Sequence, residues 1–194
     1  MRKNIIRNTL VLFFVVALGG CAVGNTYDYR VADLGIPVNG MGQPVSVEVV
    51  DARPYVLNGR KSSNFIGLQR GGYGNPFDVT TSSGQPLAEE FEAVIASSLA
   101  KSNFAVAGSA GKTVKLTVRE WKTDAMSRLR LIYDMTLAIR SDDNTKAASV
   151  SDKGDEVLSA AGMESANSAS ASAAFERKLS RLFADNDIRE ALER

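Results

Sequence analysis

The sequence predicts an α+β fold in which two helices pack on one face of an antiparallel sheet, as a two-layer sandwich. Alternation of apolar and polar residues predicts strands, and the clearest alternation covers residues 45–51, 114–121 and 129–139. Apolar residues with helical spacing form one stripe at residues 86–101 and another at residues 175–192. Because one stripe precedes the last pair of strands and the other follows it, we expect both helices to cover a single face of the sheet.

The strand at residues 45–51 opens the predicted domain, and residues 52–85 form a long loop that is rich in Gly, Asn and Ser. Two short strands fit within this loop, at residues 65–68 and 77–80. Pro86 then begins the first helix, because its missing N–H costs nothing in a first helical turn. The chain from the first strand onward is long enough for one domain with a substantial core.

The strands at residues 114–121 and 129–139 flank a connection at residues 122–128, so we expect them to pair as antiparallel neighbours. Residues 165–172 are nearly all Ser and Ala. Because alanine is the strongest helix former, they are assigned to the last helix, which continues to Leu192. Smaller predicted elements complete the order: a strand at residues 104–106, a turn at 142–144 and a weaker strand at 147–158.

The N-terminus has the pattern of a bacterial lipoprotein signal. Three cations in the first eight residues precede nine apolar residues at 10–18, and Leu-Gly-Gly-Cys follows. A run of nine is too short for a bilayer span, which takes about 20 apolar residues, but it is typical of a secretory signal peptide. The exit resembles the lipobox of bacterial lipoproteins. This resemblance implies that the chain is cut between Gly20 and Cys21, and that Cys21 carries acyl chains such as palmitate.

The same resemblance implies a location for the mature protein. Three acyl chains on Cys21 would hold the protein stably on a membrane. In that family an Asp directly after the lipidated cysteine is the usual signal for retention at the inner membrane, whereas Ala22 stands there in this chain. We therefore expect the protein on the periplasmic face of the outer membrane of a Gram-negative cell.

The residues between the lipidation site and the first strand are predicted to form a tether. They contain four glycines and two prolines with little periodicity, and a flexible chain of this length spans roughly 25–30 Å on average. Leu34, Ile36 and Val38 could pack on the domain instead, which would shorten that reach. The predicted division is therefore a signal peptide at residues 1–20, a lipidated N-terminus and tether at 21–44, and a periplasmic domain at 45–194.

Composition excludes several kinds of catalytic site. The chain has one cysteine and no histidine, so it forms neither a Ser-His-Asp or Cys-His catalytic site nor a zinc site built on His and Cys. Lipidation of Cys21 would leave no thiol for a disulfide. Once the three cations of the signal are removed, the mature chain is nearly neutral, which argues against nucleic-acid binding. We predict no enzyme activity, no metal and no cofactor.

A cell-wall hydrolase that uses carboxylates alone is the second hypothesis. Five acidic residues could supply an acid–base pair, namely Asp51, Glu89, Glu90, Asp124 and Asp134. Stabilisation by the helix dipole already explains the two glutamates at the start of a helix. Asp134 occupies a polar position in an alternating strand, which is an ordinary solvent-facing site.

Two further motifs are interpreted as structural. Residues 70–76 are rich in glycine, but they lack the Gly-Lys-Ser/Thr ending of a phosphate-binding loop and do not open into a helix. We expect a surface loop there. Asp51 and Arg53 lie two residues apart at the exit of the first strand, where they are better suited to bracing the long loop than to contacting a ligand.

The best candidate for a partner-binding surface lies where two predicted strands meet. Trp121 ends one strand, and Arg128 and Arg130 begin the next. Trp and Arg are enriched among the residues that dominate binding energy at protein interfaces. A tryptophan in this position could equally pack in the core.

The patterning of residues 45–194 resembles the YajG-type bacterial lipoproteins. The resemblance rests on the first strand with its Asp-Ala-Arg exit, the helix at 87–99 followed by Phe-Ala-Val, the strand at 114–121 and the closing helix at 179–192. It implies an outer-membrane lipoprotein and supplies no catalytic residues, because that family has no assigned activity. We expect a non-catalytic binding or structural module whose partner is an envelope protein or peptidoglycan. A small-ligand carrier for an envelope transporter is the third hypothesis.

Overall fold

The computed structural model describes residues 25–71, 75–141 and 146–194. The predicted signal peptide, Cys21, residues 72–74 of the predicted surface loop and the predicted turn at residues 142–144 lie outside these ranges. The strands are β1 Thr26–Tyr27, β2 Pro44–Asp51, β3 Phe65–Arg70, β4 Pro76–Thr81, β5 Ala105–Val106, β6 Lys112–Ala125, β7 Arg128–Ser141 and β8 Lys146–Ala160. The helices are α1 Pro54–Leu57, α2 Leu87–Lys101, α3 Glu164–Phe183 and α4 Asn186–Glu193.

The sheet is built around β6. One edge of β6 pairs antiparallel with β7, as the sequence predicts, and β7 pairs antiparallel with β8. The other edge pairs in parallel with β2 along the first half of β6 and with β3 along the second half. Beyond them, β3 pairs antiparallel with β4, while β1 and β5 add short parallel pairs to β4 and β2. In the described residues the sheet has eight strands, and it is therefore mixed and larger than the antiparallel sheet that the sequence predicts.

The parallel pairing follows from the connection between β2 and β6. The chain from Asp51 to Lys112 contains α1, the β3–β4 hairpin and α2, and a long crossover of this kind returns a strand in the same direction. Alternation along each strand reports which face is buried, but it carries no information about the direction of the neighbouring strand. For this reason the sequence identifies β2 and β3 as strands without fixing their direction against β6.

Helices α2 and α3 pack together on one face of the sheet, as expected. The ring of Phe91 in α2 stacks on that of Phe175 in α3 with 4.0 Å between centroids. Both rings also meet the indole of Trp121 edge-on. One hydrophobic core therefore lies between the two helices and the sheet.

A β-bulge in the middle of β6 decides which way Trp121 points. Val118 pairs with Met135, and the next pair along the ladder is Glu120 with Asp134, so Arg119 is the extra residue. Buried positions alternate up to Val118 and resume at Trp121. Without the extra residue, Trp121 would face the opposite side of the sheet.

Residues 25–44 pack on the domain, where the sequence predicts a tether. Burial alternates from residue 31 to residue 38, with every second side chain against the core. Leu34, Ile36 and Val38 have 6 % exposure or less, which is the alternative that the sequence leaves open for them. Tyr27 and Tyr29 are fully buried as well, so this segment contributes two large aromatic side chains to the core.

The closing helical region is divided in two, where the sequence predicts a single helix. Helix α3 contains the whole Ser/Ala-rich stretch, as expected, and ends at Phe183. The Asp185 carboxylate then accepts hydrogen bonds from the backbone N–H groups of Asp187 and Ile188 and so caps α4. An aspartate that satisfies two free N–H groups favours a new helix start at this point over continuation of α3.

Candidate functional site

Trp121 lies inside the core and is not exposed to a partner. Its exposed fraction is 0 %, and its indole N–H donates a hydrogen bond of 2.9 Å to the hydroxyl of Tyr29. Burial of that hydroxyl raises the pKa of Tyr29, while the bond from Trp121 acts in the opposite direction. Trp121 therefore belongs to the structural core, which corrects its assignment to a binding surface.

Arg53 is a fully buried cation that joins β2 to β3. Its guanidinium donates two hydrogen bonds to the Asp51 carboxylate, at 2.8 and 2.7 Å. It also donates to the backbone carbonyls of Phe65 and Ser63. Because β2 and β3 both pair with the same edge of β6, Arg53 fills the gap between their ends, which is the bracing role expected for the Asp51–Arg53 pair.

The three aspartates among the carboxylates proposed for hydrolysis are occupied by ion pairs. Asp51 binds Arg53, Asp124 binds Arg70 at 2.7 Å, and Asp134 binds Arg119 at 2.6 Å. These contacts account for the three aspartates without catalysis. Among the described residues, no cluster of three or more acidic side chains could hold a metal ion.

Glu90 is the carboxylate with the most unusual surroundings. It is 2 % exposed, and burial raises its pKa, although the hydroxyl of Ser83 donates a hydrogen bond to it and Arg30 lies 3.9 Å away. A buried acid with a raised pKa can mark a catalytic group. Its contacts here join α2 to the turn after β4 and to the N-terminal segment, which is a structural role.

The face of the sheet opposite the helices carries cross-strand ion pairs. Arg130 binds Asp155 of β8 at 2.6 Å, and both side chains are about half exposed. Arg128 begins β7 at the tip of the β6–β7 hairpin, is exposed, and forms no ion pair in the described part of the chain. Of the three residues predicted to bind a partner, Arg128 alone is both exposed and free of an ion pair.

Strand β8 offers a long surface for a partner. It has 15 residues, and within the described ranges its only neighbour in the sheet is β7. Its outer edge therefore presents unpaired backbone N–H and C=O groups. Between the bulges in the β7–β8 ladder, the register from Ala148 to Val157 is continuous. An extended chain could pair with this edge over about 30 Å.

A cleft of about 350 Å³ lies beside β8, between this strand and the junction of α3 with α4. We call it the edge cleft; Val150, Ser151 and Asp152 line it from β8, and Arg181 and Asp185 from the helices. The Oδ2 atom of Asp152 is buried and accepts no hydrogen bond from any described group. The cleft thus combines apolar side chains, charges of both signs and an acceptor that no described group uses.

A polar network forms the wall next to the edge cleft. Lys178 of α3 donates hydrogen bonds to the Tyr133 hydroxyl at 2.8 Å and to Glu156 at 2.9 Å. Burial opposes the charge on Lys178, but these two bonds outweigh burial and raise its pKa. Tyr133 in turn lies 3.3 Å from Asp152. Gly154 makes room for the ring, because a Cβ there would come within 2.9 Å of the Tyr133 hydroxyl.

The sequence predicts neither the open edge of β8 nor the polar network around Lys178. Tyr133, Asp152, Glu156 and Lys178 are spread over two strands and a helix and form no motif. The one available signal is the alternation of residues 150–158, in which Asp152, Gly154 and Glu156 share a face with Val150 and Leu158. Two acidic residues on an otherwise apolar face indicate that a polar side chain from another element of the fold packs against them.

Comparisons with known proteins support the fold. No protein-family model matches the chain, and no curated protein matches it either. A solved DUF330-family protein from Xanthomonas campestris is 17 % identical, with 87 % of this chain and 95 % of that chain covered and a TM-score of 0.57. That likeness shows a shared fold.

Two other solved structures are less similar. The PelC dodecamer protein from Paraburkholderia phytofirmans is 14 % identical, with 75 % of this chain and 92 % of that chain covered and a TM-score of 0.42. A lipoprotein from Neisseria meningitidis is 12 % identical, with 72 % and 99 % covered and a TM-score of 0.29. The resemblance to the YajG-type family stays a prediction.

Proposed function

We propose that this protein is a non-catalytic binding module of the cell envelope, anchored to the outer membrane through lipid on Cys21. We propose further that it binds an extended segment of another envelope protein along the outer edge of β8. The observation that carries this proposal is a 15-residue edge strand that borders an open cleft. Within the described ranges, no helix is long and apolar enough to span a bilayer.

Backbone pairing explains how such a strand binds. A partner chain that adds to a sheet edge gains a row of main-chain hydrogen bonds, while pockets beside the edge select its side chains. The edge cleft supplies such a pocket, with the free Asp152 oxygen as an acceptor and Arg181 as a donor. Affinity would come from the backbone and specificity from the cleft.

The edge cleft also favours a small-ligand carrier as the second candidate. Its volume of about 350 Å³ falls at the lower end of the range for small-molecule sites. Three charged side chains line it beside the apolar ones, however, namely Asp152, Arg181 and Asp185. It also borders the edge of β8 that no described strand covers, so an extended chain suits it better than a compact ligand.

Photo-crosslinking in intact cells tests the proposal. A photoreactive amino acid at Lys153, an exposed position in the middle of β8, should crosslink to one envelope protein, because side chains on adjacent strands lie about 5 Å apart. Lys101 is a matched control, since it is an exposed lysine at the end of α2. Products at both positions, or at neither, would contradict binding at β8, and a product with glycan instead of protein would favour peptidoglycan as the partner.

A further inference from the structure

Three of the eight large apolar side chains that are exposed in the described residues lie at one end of the sheet. Met126 at the tip of the β6–β7 hairpin is 67 % exposed, and Phe77 of β4 is 44 % exposed. Ala125 and Phe77 both pair with Gln69, on opposite edges of β3. They therefore lie two strand spacings apart, at about 10 Å. Monomeric proteins seldom group large exposed apolar side chains unless the surface meets something.

A third exposed side chain joins them from the other side of the hairpin. The backbone N–H of Ala161 donates to the carbonyl of Ser127 at 3.2 Å, which fixes the chain after β8 against the hairpin tip. Met163 follows two residues later and is 79 % exposed. We call the surface formed by Phe77, Met126, Arg128 and Met163 the hairpin end.

The first described residues approach the same end. The backbone N–H of Thr26 donates to the carboxylate of Glu164 at 2.6 Å, and Glu164 directly follows Met163. Strand β1 runs parallel to β4, so its N-terminal end points toward Pro76, the end of β4 nearest the hairpin. The chain thus enters the domain from the side of the hairpin end.

Chain length then fixes how close the lipid lies. Asn25 is only four residues after Cys21, and four extended residues span at most about 14 Å. Strand β6 alone is 14 residues long, or about 45 Å. A lipid on Cys21 therefore holds the hairpin end near the bilayer and leaves the opposite end of the sheet far from it.

We propose that the hairpin end rests on the phospholipid headgroups of the membrane that holds the anchor. Met126, Met163 and Phe77 would enter the boundary between headgroups and acyl chains, as apolar residues of interfacial segments do. Arg128 is exposed and free of an ion pair among the described residues, so its guanidinium can bind a lipid phosphate. This inference rests on the proposed lipid anchor, and it orients the domain with the length of β8 running away from the membrane.

A pair of labelled variants tests the orientation. Because Cys21 is the only cysteine and its sulfur is blocked once it is lipidated, Met126→Cys and Met41→Cys each give a single reactive thiol. Met41 is a matched control, since it is 74 % exposed and precedes β2, at the opposite end of the sheet. The full-length variants are purified in lipidated form, labelled with a polarity-sensitive fluorophore and reconstituted into vesicles of phosphatidylethanolamine and phosphatidylglycerol.

We expect the label at residue 126 to shift its emission to the blue on vesicles, and to be quenched by lipid that carries a spin label near the headgroup. The label at residue 41 should show neither change. Equal, water-like emission at both positions on vesicle-bound protein would overturn the docking while leaving the anchor intact. A blue shift without lipid quenching would mean that protein covers the hairpin end, which also overturns the proposal.

The anchor itself is tested in the same preparation. Wild-type protein should incorporate labelled fatty acid and float with vesicles, whereas Cys21→Ser should do neither. If wild-type protein does not float, or if Cys21→Ser still incorporates the fatty acid, the proposed anchor is wrong and the docking falls with it. That result differs from docking failure alone, in which the protein floats but residue 126 stays in water.

Discussion

Replacing Tyr29 by alanine is expected to lower the free energy of unfolding by about 3–5 kcal/mol, the usual cost of deleting a buried aromatic side chain. The Tyr29 ring is fully buried and meets Phe91, Trp121 and Phe175 edge-on at 5.4 to 5.8 Å between centroids. The substitution also leaves the indole N–H of Trp121 without its acceptor. Chemical denaturation followed by tryptophan fluorescence measures the change, since the chain has one tryptophan.

Val31→Ala is the control for Tyr29→Ala. Val31 lies two residues further along the same segment and is 72 % exposed, so its substitution should change stability by no more than about 0.5 kcal/mol. If Tyr29→Ala were equally mild, residues 25–44 would contribute little to the core. The segment would then behave as the tether that the sequence predicts.

Arg53→Met is also expected to lower the free energy of unfolding by about 3–5 kcal/mol, because it removes one partner of a buried ion pair. The substitution keeps much of the side-chain volume, but the Asp51 carboxylate and the carbonyls of Phe65 and Ser63 lose the guanidinium that donates to them. The ends of β2 and β3 would lose the group that joins them. Thermal and denaturant unfolding of the variant measure the loss.

The control for Arg53→Met is Arg119→Met. Arg119 pairs with Asp134 on the exposed face of the sheet, and its side chain is 43 % exposed. Exposed pairs of this kind contribute about 0–1 kcal/mol. Equal destabilisation by the two substitutions would mean that burial of Arg53 has no special role in holding β2 and β3 together.

Sequence patterning predicts the strands and helices well because each leaves a local period. Alternation identifies β2, β6 and β7, and helical spacing identifies α2 and α3. The direction of β2 and β3 against β6 is set by the long crossover between them, which no local period records. The mixed character of the sheet was therefore not predictable from alternation.

The candidate site was less predictable than the fold. A single bulged residue, Arg119, turns Trp121 into the core, and the residue types alone do not reveal a bulge. Residues 25–44 look like a tether because glycine and proline interrupt them, although every second side chain from residue 32 to 38 is apolar and buried. The network around Lys178 brings together groups up to 45 positions apart, so no spacing rule could find it.

The placement of residues 25–44 within the domain determines how near the lipid lies to the protein, and hydrogen exchange measures it most directly. The backbone N–H groups of Gly40 and Gly42 donate to the carbonyls of Ser102 and Asn103 at 2.8 and 2.7 Å, and that of Leu34 donates to Ser98. We expect these amides to exchange slowly, with protection close to that of β6 and β7. Exchange at the rate of an unprotected chain, while β6 and β7 remain protected, would show that the segment is a free tether and would contradict both the short anchor and the membrane-facing hairpin end.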